Sequence, residues 1–170
     1  METNIDSYAQ NVVQLLSEGG FHASSAESCT GGLISAAITS VSGSSAVFDM
    51  GLCTYAAWAK EKLLGVSHET ILQRGVVSAE CAKAMALGAM KAADSDFAVS
   101  TTGIAGPTGG TDDNPVGTVY IGVAGKNGAE AKRFVFSAQG CPENLTERDF
   151  IRLQATEQAL LMLAEKIKKG

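Results

Sequence analysis

AESCTGG, residues 26–32, lies between residues 21–26 and the amphipathic stretch 30–40, and this junction predicts the fold class. Residues 21–26 before it are typical of a strand. Residues 30–40 after it place Leu33, Ile34, Ala37 and Ile38 at helical spacing. A strand followed by a helix is the repeating unit of α/β proteins, in which ligands bind beyond the carboxyl ends of the strands. The junction therefore predicts both an α/β fold and a ligand site.

The alternation of helices and strands continues on both sides of this junction. Apolar spacing predicts a first helix that begins near Ile5 and ends at Gly19-Gly20. Further along we expect a buried strand at 46–55, helices at 57–64, 67–73 and 78–92, strands at 97–101, 116–124 and 131–137, and a last helix from Leu145 or Thr146. The turn Gly125-Lys126-Asn127-Gly128 predicts that the last two strands form a hairpin. An antiparallel hairpin added to βα units predicts a three-layer fold with a mixed sheet.

Length and composition predict one globular domain over residues 1–170. The net charge of -5 argues against nucleic acid as a partner, because no basic field attracts phosphate backbones. Four cysteines without a C-x-x-C pair fit neither a zinc site nor a disulfide framework. No run approaches the roughly 20 apolar residues that cross a membrane. We therefore expect a cytoplasmic protein with reduced thiols and no nucleic-acid or membrane partner.

Ser28 is the first candidate for chemistry. We expect the backbone N–H groups of Cys29, Thr30 and Gly31 to lie in or near the first helical turn, where unpaired donors suit a phosphate or a developing oxyanion. Ser28 would then stand beside its own oxyanion donors. The alternative is that Ser28 or Thr30 only caps the helix, since hydroxyl side chains are common at that position.

The choice of nucleophile depends on which base is available. Cys29 is intrinsically the better nucleophile, but a catalytic cysteine usually needs a neighbouring histidine to lower its pKa. The only histidines, His22 and His68, lie at the start of a predicted strand and of a predicted surface helix. Neither is placed for catalysis, so a Ser-His-Asp triad is not expected.

Tyr55 and Lys60 follow the second predicted strand and are candidates for the missing base. A desolvated lysine or a tyrosine can accept the proton of a serine. The alternatives are a solvated helical lysine and a half-buried strand tyrosine. Taken alone, the segment leaves these readings open.

Two further segments are candidates for binding a phosphate or ribose. Residues 100–111 combine hydroxyl side chains and glycines after a predicted strand, without the lysine of a Walker loop. Arg148 and Arg152 lie one turn apart on the last helix, where a pair of guanidinium groups suits a phosphate. A flexible surface turn and surface solubility are the respective alternatives.

Together these segments form an ordered series of motifs. The series contains AESCTGG (26–32), GSS (43–45), TY followed by AK (54–60), GV (65–66), GVVS (75–78), TGIAGPTGG (102–110) and PVGTVY (115–120). Over about residues 5–165 it resembles the CinA C-terminal-domain family, also known as PncC or nicotinamide-nucleotide amidohydrolase. The resemblance implies a three-layer α/β/α sandwich with a mixed, mostly parallel five-stranded sheet. It also implies hydrolysis of nicotinamide mononucleotide to nicotinic acid mononucleotide and ammonia in NAD recycling, without a metal or cofactor, by a homo-oligomer.

The resemblance also implies roles for individual residues. Ser28 matches the family's nucleophile, and Lys60 or Tyr55 is expected to accept its proton. Together with the residue patterns, it gives these expected substrate contacts: Cys29, Thr30, Gly31, Thr102, Gly103, Gly106, Gly109 and Arg148. Thr102 departs from the family, whose members often have a serine there, but it keeps the hydroxyl group.

Two rival functions belong to other classes. A non-catalytic nucleotide-binding or regulatory module would have the same fold, although the intact Ser28, Tyr55 and Lys60 speak against it. A phosphoryl-transfer enzyme would need a magnesium site and a lysine in the glycine-rich loop. Asp112 and Asp113 offer carboxylates for such a site, but the lysine is absent from that loop.

Overall fold

The computed structural model describes residues 4–170, so the first three residues of the predicted 1–170 domain lie outside it. The helices are α1 (Ile5–Gly19), α2 (Leu33–Thr39), α3 (Ala57–Leu64), α4 (His68–Arg74), α5 (Ala79–Ala93) and α6 (Glu147–Lys169). The strands are β1 (Ala23–Glu27), β2 (Phe48–Cys53), β3 (Phe97–Gly103), β4 (Thr118–Gly125) and β5 (Gly128–Val135). Helices and strands alternate as the sequence predicts.

The five strands form one sheet in the order β2-β1-β3-β4-β5. Strand β1 pairs in parallel with β2 and β3, whereas β4 is antiparallel to both β3 and β5. Only β4 among these strands therefore runs against the others. This confirms the predicted mixed, mostly parallel five-stranded sheet. The predicted hairpin is also present, with Gly125 paired to Gly128 across the Lys126-Asn127 turn.

Helices cover both faces of the sheet and give the three predicted layers. On one face α1, α2 and α6 pack together over a large apolar cluster that includes Leu16, Ile38 and Leu160. On the other face α5 lies over β1, β3 and β4 and is flanked by α3 and α4. The small alanine side chains of α5 let this helix pack close to the sheet. As a result, Ser100 Oγ of β3 donates a hydrogen bond to the carbonyl oxygen of Ala82 at 2.6 Å.

Two expectations about local structure are wrong. Strand β2 is not buried: it lies at the edge of the sheet, and Asp49, Gly51 and Cys53 are exposed along it. Helix α2 begins at Leu33 rather than near residue 30, because Gly31 and Gly32 adopt left-handed backbone conformations with φ of 62° and 100°. Residues 28–32 therefore form a turn between β1 and α2, and the predicted ligand site lies in this turn rather than in a helix.

Candidate active site

A cleft of about 300 Å³ lies beyond the carboxyl ends of β1 and β3. Nine predicted site residues line it: Ser28, Cys29, Tyr55, Lys60, Thr102, Gly103, Gly106, Gly109 and Arg148. Two further predicted contacts, Thr30 and Gly31, are not among the residues that line the cleft. The fold thus brings the three separate motif segments and one arginine of the last helix to a single place.

Lys60 and Ser28 are in direct contact on the floor of this cleft. The Nζ atom of Lys60 lies 3.1 Å from Ser28 Oγ, 2.6 Å from the carbonyl oxygen of Thr54 and 3.3 Å from that of Tyr55. The lysine is only 1% exposed, so the alternative of a solvated helical lysine is wrong. None of the ion pairs found within residues 4–170 involves it.

Burial controls the proton on this amine. It lowers the pKa of Lys60, because the charged form loses hydration that two carbonyl oxygens only partly replace. A neutral amine has two N–H donors for the carbonyls of Thr54 and Tyr55, and its lone pair is then free to accept the hydroxyl proton of Ser28. The geometry therefore suits a general base for a serine.

Helix α3 positions the amine because it begins directly after the loop that leaves β2. Ala59, Lys60 and Leu64 form the buried side of this short helix, which packs against α5. The helix ends at Gly65, whose φ of 66° closes it as the sequence predicts. Lys60 therefore lies on the buried side of α3, and its amine contacts oxygen atoms only at the cleft.

Hydrogen bonds hold the backbone of Ser28 and of the two residues that follow it. Its backbone N–H donates to the carbonyl oxygen of Thr101 at 3.0 Å, which continues the pairing of β1 with β3. Arg152 donates to the carbonyl oxygens of Cys29 and Thr30 at 3.1 and 3.0 Å. Arg152 is therefore a brace for the turn and does not line the cleft, so the predicted arginine pair divides into two roles.

The unpaired backbone donors of the turn are fewer than expected. Gly31 N–H donates to the carbonyl oxygen of Ser28 at 3.1 Å, and the amides of Gly32 and α2 donate to the Glu27 carboxylate. The hydrogen bonds of the described residues include none from the N–H groups of Cys29 or Thr30. Thr30 is buried and does not line the cleft, so the expected oxyanion donors are reduced to the amide of Cys29.

Cys29 is buried and chemically quiet. It is only 5% exposed, and burial raises the pKa of its thiol to about 11. Because the thiolate is the nucleophilic form, a thiol with so high a pKa is a poor nucleophile near neutral pH. The two histidines are also remote from this chemistry: His22 pairs with Asp49, and His68 pairs with Glu61, on the surface.

Tyr55 and Arg148 face each other at the rim of the cleft. Arg148 donates to the Tyr55 hydroxyl at 3.1 Å and to the carbonyl oxygen of Gly106 at 2.6 Å. It has no carboxylate partner among the ion pairs of the described residues. Tyr55 is 66% exposed, so its hydroxyl is placed for substrate contact at the rim rather than for contact with Ser28.

Thr102 holds one wall of the cleft. Its hydroxyl donates to the carbonyl oxygen of Val76 at 2.6 Å, and Val76 and Val77 line the cleft beside the glycine-rich loop. The Thr102 hydroxyl therefore has a structural partner within the fold.

Sequence reasoning missed the roles of Glu27, Thr54 and the valine pair Val76-Val77. Glu27 stands inside the AESCTGG motif, and a carboxylate directly after the residues predicted to form a strand was an available signal. Nothing in the sequence marks the carbonyl of Thr54, since the backbone of any residue supplies one.

The part of the chain that the structure describes, residues 4–170, contains no group of three or more side chains arranged to hold a metal ion. It also contains no helix with the length and apolar character needed to cross a membrane.

The fold and the cleft define the class: a three-layer α/β protein with a serine in contact with a buried lysine at the carboxyl edge of its sheet. The chain belongs to the family described as the CinA C-terminal domain, whose model matches residues 5–167. It is 40% identical to the competence/damage inducible protein CihA from Agrobacterium tumefaciens, with a TM-score of 0.87 over 96% of this chain and 95% of that one. A CinA superfamily protein from Klebsiella pneumoniae is 30% identical, with a TM-score of 0.89 over 98% and 99% of the two chains.

Curated relatives divide into two kinds. A CinA-like protein from Geobacter sulfurreducens is 49% identical over 92% of this chain, but the chain spans only 36% of that relative's length. A protein from Enterobacter agglomerans, named nicotinamide-nucleotide amidohydrolase PncC, is 50% identical over 80% of this chain and 79% of its own length. The second kind is therefore similar in size as well as in sequence.

Proposed function

We propose that this protein is an amidohydrolase that converts nicotinamide mononucleotide to nicotinic acid mononucleotide and ammonia. The observation that carries the proposal is the contact between the buried Lys60 amine and Ser28 Oγ at 3.1 Å, without a carboxylate to hold the lysine charged. The similarity to the Enterobacter agglomerans amidohydrolase supports the substrate class. A cytoplasmic location and a homo-oligomeric state stay predictions from the family resemblance.

The proposed reaction has two halves. Ser28 Oγ attacks the carboxamide carbon while Lys60 takes the hydroxyl proton, and the N–H group of Cys29, which lines the cleft, stabilises the oxyanion. The C–N bond then breaks, and the Lys60 ammonium returns its proton to the leaving nitrogen, which departs as ammonia. In the second half, water gives a proton to Lys60 and attacks the acyl-serine ester. Collapse returns the Lys60 proton to Ser28 Oγ, which restores the hydroxyl, and releases nicotinic acid mononucleotide, whose new carboxyl group gives its proton to solvent.

Lys60 is assigned as the base in preference to Tyr55. The Tyr55 hydroxyl is bound to Arg148 at the rim, whereas the Lys60 amine contacts the nucleophile directly. A base must lie within hydrogen-bond reach of the proton that it removes. Tyr55 is accordingly assigned to the substrate, beside the nicotinamide ribose.

Arg148 and the glycine-rich loop are proposed to hold the 5′-phosphate. Arg148 is the cleft's guanidinium, and it can turn from the neutral hydroxyl of Tyr55 and the carbonyl of Gly106 to a charged phosphate, which is the stronger partner. Gly106 and Gly109 have φ of 80° and 90°, so this loop places backbone close to a ligand without side chains in the way.

Ammonia release from nicotinamide mononucleotide, measured with and without EDTA, tests the proposal. We expect turnover that the chelator leaves unchanged. Binding of the nucleotide without ammonia release would favour the non-catalytic module. Turnover that EDTA abolishes would contradict a mechanism that depends only on Ser28 and Lys60.

A further inference from the structure

Glu27 ends β1 immediately before Ser28, and its side chain is completely buried. Its two carboxylate oxygens accept hydrogen bonds of 2.7–3.1 Å. The donors of these five hydrogen bonds are Thr30 Oγ1, the amides of Gly32, Ile34 and Ser35, and Ser35 Oγ. They belong to the turn after Ser28 or to the first turn of α2, so one side chain binds both segments. Ser25 Oγ, on β1 itself, donates a longer hydrogen bond of 3.5 Å.

The carboxylate has no basic partner among the ion pairs of residues 4–170. Burying a carboxylate is costly unless hydrogen bonds replace its hydration. Here both oxygens are satisfied by hydroxyl groups and by the N-terminus of α2, whose dipole favours a negative charge. Glu27 does not line the cleft, so it cannot touch a substrate. Its contacts are with the turn that follows Ser28 and with the start of α2.

Glu27 is linked to both members of the serine–lysine pair. Its backbone carbonyl accepts a hydrogen bond from Thr54 N–H at 2.8 Å, and the carbonyl of Thr54 accepts from Lys60 Nζ at 2.6 Å. Its side chain accepts from Thr30, whose hydroxyl also contacts Thr101 Oγ1 at 2.8 Å. One residue therefore lies between the segment that carries the nucleophile and the segment that holds the amine.

We propose that Glu27 is a positioning residue for the serine–lysine pair. By fixing the turn that follows β1, its carboxylate holds Ser28 Oγ toward Lys60 and keeps the N–H group of Cys29 toward the cleft. The inference rests on the proposed function, because it takes Ser28 to be the nucleophile.

The same contacts decide where an anion can bind. The amides of Gly32, Ile34 and Ser35 are the donors that the N-terminus of α2 would otherwise offer to a phosphate, and Glu27 occupies all three. The substrate phosphate is therefore excluded from this helix end. This leaves the Arg148 side of the cleft for the phosphate.

Glu27→Gln is the sharpest variant. Each carboxylate oxygen accepts at least one backbone N–H, so the amide nitrogen of a glutamine faces a donor in either orientation. Glu27→Asp keeps the charge with a shorter reach, and Thr30→Val removes one donor while it keeps the side-chain shape. Ser24→Ala is the matched control, because Ser24 is buried on the same strand and its hydroxyl contacts Ser95 at 2.9 Å, away from the cleft.

Two rates report on the position of Ser28: turnover of nicotinamide mononucleotide and covalent labelling of Ser28 by a fluorophosphonate probe. For Glu27→Gln we expect both rates to fall by about 10²-fold, since a misplacement of about 1 Å costs that much. KM should change by less than about threefold, because substrate contacts lie elsewhere. Glu27→Asp should recover part of both rates, Thr30→Val should lose less than Glu27→Gln, and Ser24→Ala should match the wild type.

Several results would overturn the proposal. One is that Glu27→Gln is labelled at Ser28 as fast as Ser24→Ala. Another is that Glu27→Gln loses activity only through a higher KM, with kcat unchanged. If Glu27→Gln does not fold, Thr30→Val and Glu27→Asp that both label at the wild-type rate would overturn it too. A wild-type protein that labels at Ser28 but releases no ammonia from the nucleotide would contradict the proposed function while the labelling comparison still tests Glu27. A wild-type protein that takes no label at Ser28 would contradict the inference itself.

Discussion

The amine of Lys60 contacts three oxygen atoms, and none of them belongs to a carboxylate. A lysine in water is protonated near neutral pH and accepts nothing, whereas burial moves the pKa of this amine downward. Lys62 and Leu63, on the same helix, are exposed. Lys60 and Lys62 therefore differ in environment because they lie on different faces of α3. Function at this scale depends on which face of α3 is buried.

Lys60→Met should abolish most turnover while the protein stays folded. Methionine keeps the unbranched stem but removes the proton acceptor, and loss of acid–base catalysis costs roughly 10²–10⁴-fold. Lys62→Met, on the exposed side of the same helix, is the control and should retain wild-type kcat. Steady-state ammonia release measures both variants. Near-full turnover by a folded Lys60→Met would move the base elsewhere, with Tyr55 as the next residue to substitute.

Ser28 and Cys29 are adjacent, and substitution separates them. Ser28→Ala should eliminate hydrolysis but still bind nicotinamide mononucleotide, since the substrate contacts stay intact. Cys29→Ala should retain substantial activity, because a buried thiol with a pKa of about 11 is not the attacking group. Ammonia release and calorimetric binding, with circular dichroism as the folding check, distinguish the variants. A dead Cys29→Ala beside an active Ser28→Ala would make this a cysteine hydrolase.

At the scale of elements, helix α6 supplies two arginines with different tasks. Arg148 reaches the rim of the cleft, and Arg152, one turn later, holds the carbonyls of Cys29 and Thr30. Arg148→Met should raise KM for nicotinamide mononucleotide and reduce its advantage over nicotinamide riboside, because it removes the contact proposed for the phosphate. Arg152→Met should lower kcat for both substrates, because the turn that carries Ser28 loosens. Steady-state kinetics on the two substrates test this division, and an unchanged preference in Arg148→Met would place the phosphate elsewhere.

The bounds of the helices and strands show which features sequence patterns could predict. Apolar periodicity and capping residues predicted most helices well: Ser67 and Ser78 cap α4 and α5, and Gly65 ends α3. Periodicity could not place the start of α2, because this depends on the backbone of Gly31 and Gly32 and on a carboxylate from β1. It could not identify β2 as an edge strand either, since strand order is a property of the whole sheet.

At the scale of the whole molecule, the cleft needs both faces of the sheet. Lys60 comes from the α3 and α5 side, and Arg148 comes from α6 on the opposite side. Ser28 lies between them, directly after β1, which is the strand between β2 and β3. The motif series indicated which segments take part, but only the crossover connections set the distance between the amine and the hydroxyl. The site is therefore a product of topology, with residue types already visible in the sequence.

Because Lys60 is buried, the stability of the whole fold should depend on pH through this one amine. Burial lowers its pKa in the folded protein below the ordinary value of 10.5 that it has when unfolded. Between these two values the unfolded chain binds a proton that the folded chain has lost, so the free energy of unfolding rises with pH across that window. At lower pH both states are protonated, and the penalty for burying the charge is fully present.

The buried thiols contribute with the opposite sign. The pKa of Cys29 is raised from 9.0 to about 11, so its contribution to stability falls as pH rises through that range. The pKa of Cys81 is also raised by burial. Lys60→Met retains both thiols, so subtracting its pH profile from that of the wild type isolates the lysine. We expect a difference that rises with pH below 10.5, measured by urea unfolding at a series of pH values. A flat difference would mean that the amine keeps its ordinary pKa in the fold, and Lys60 would then stay charged beside Ser28 at neutral pH.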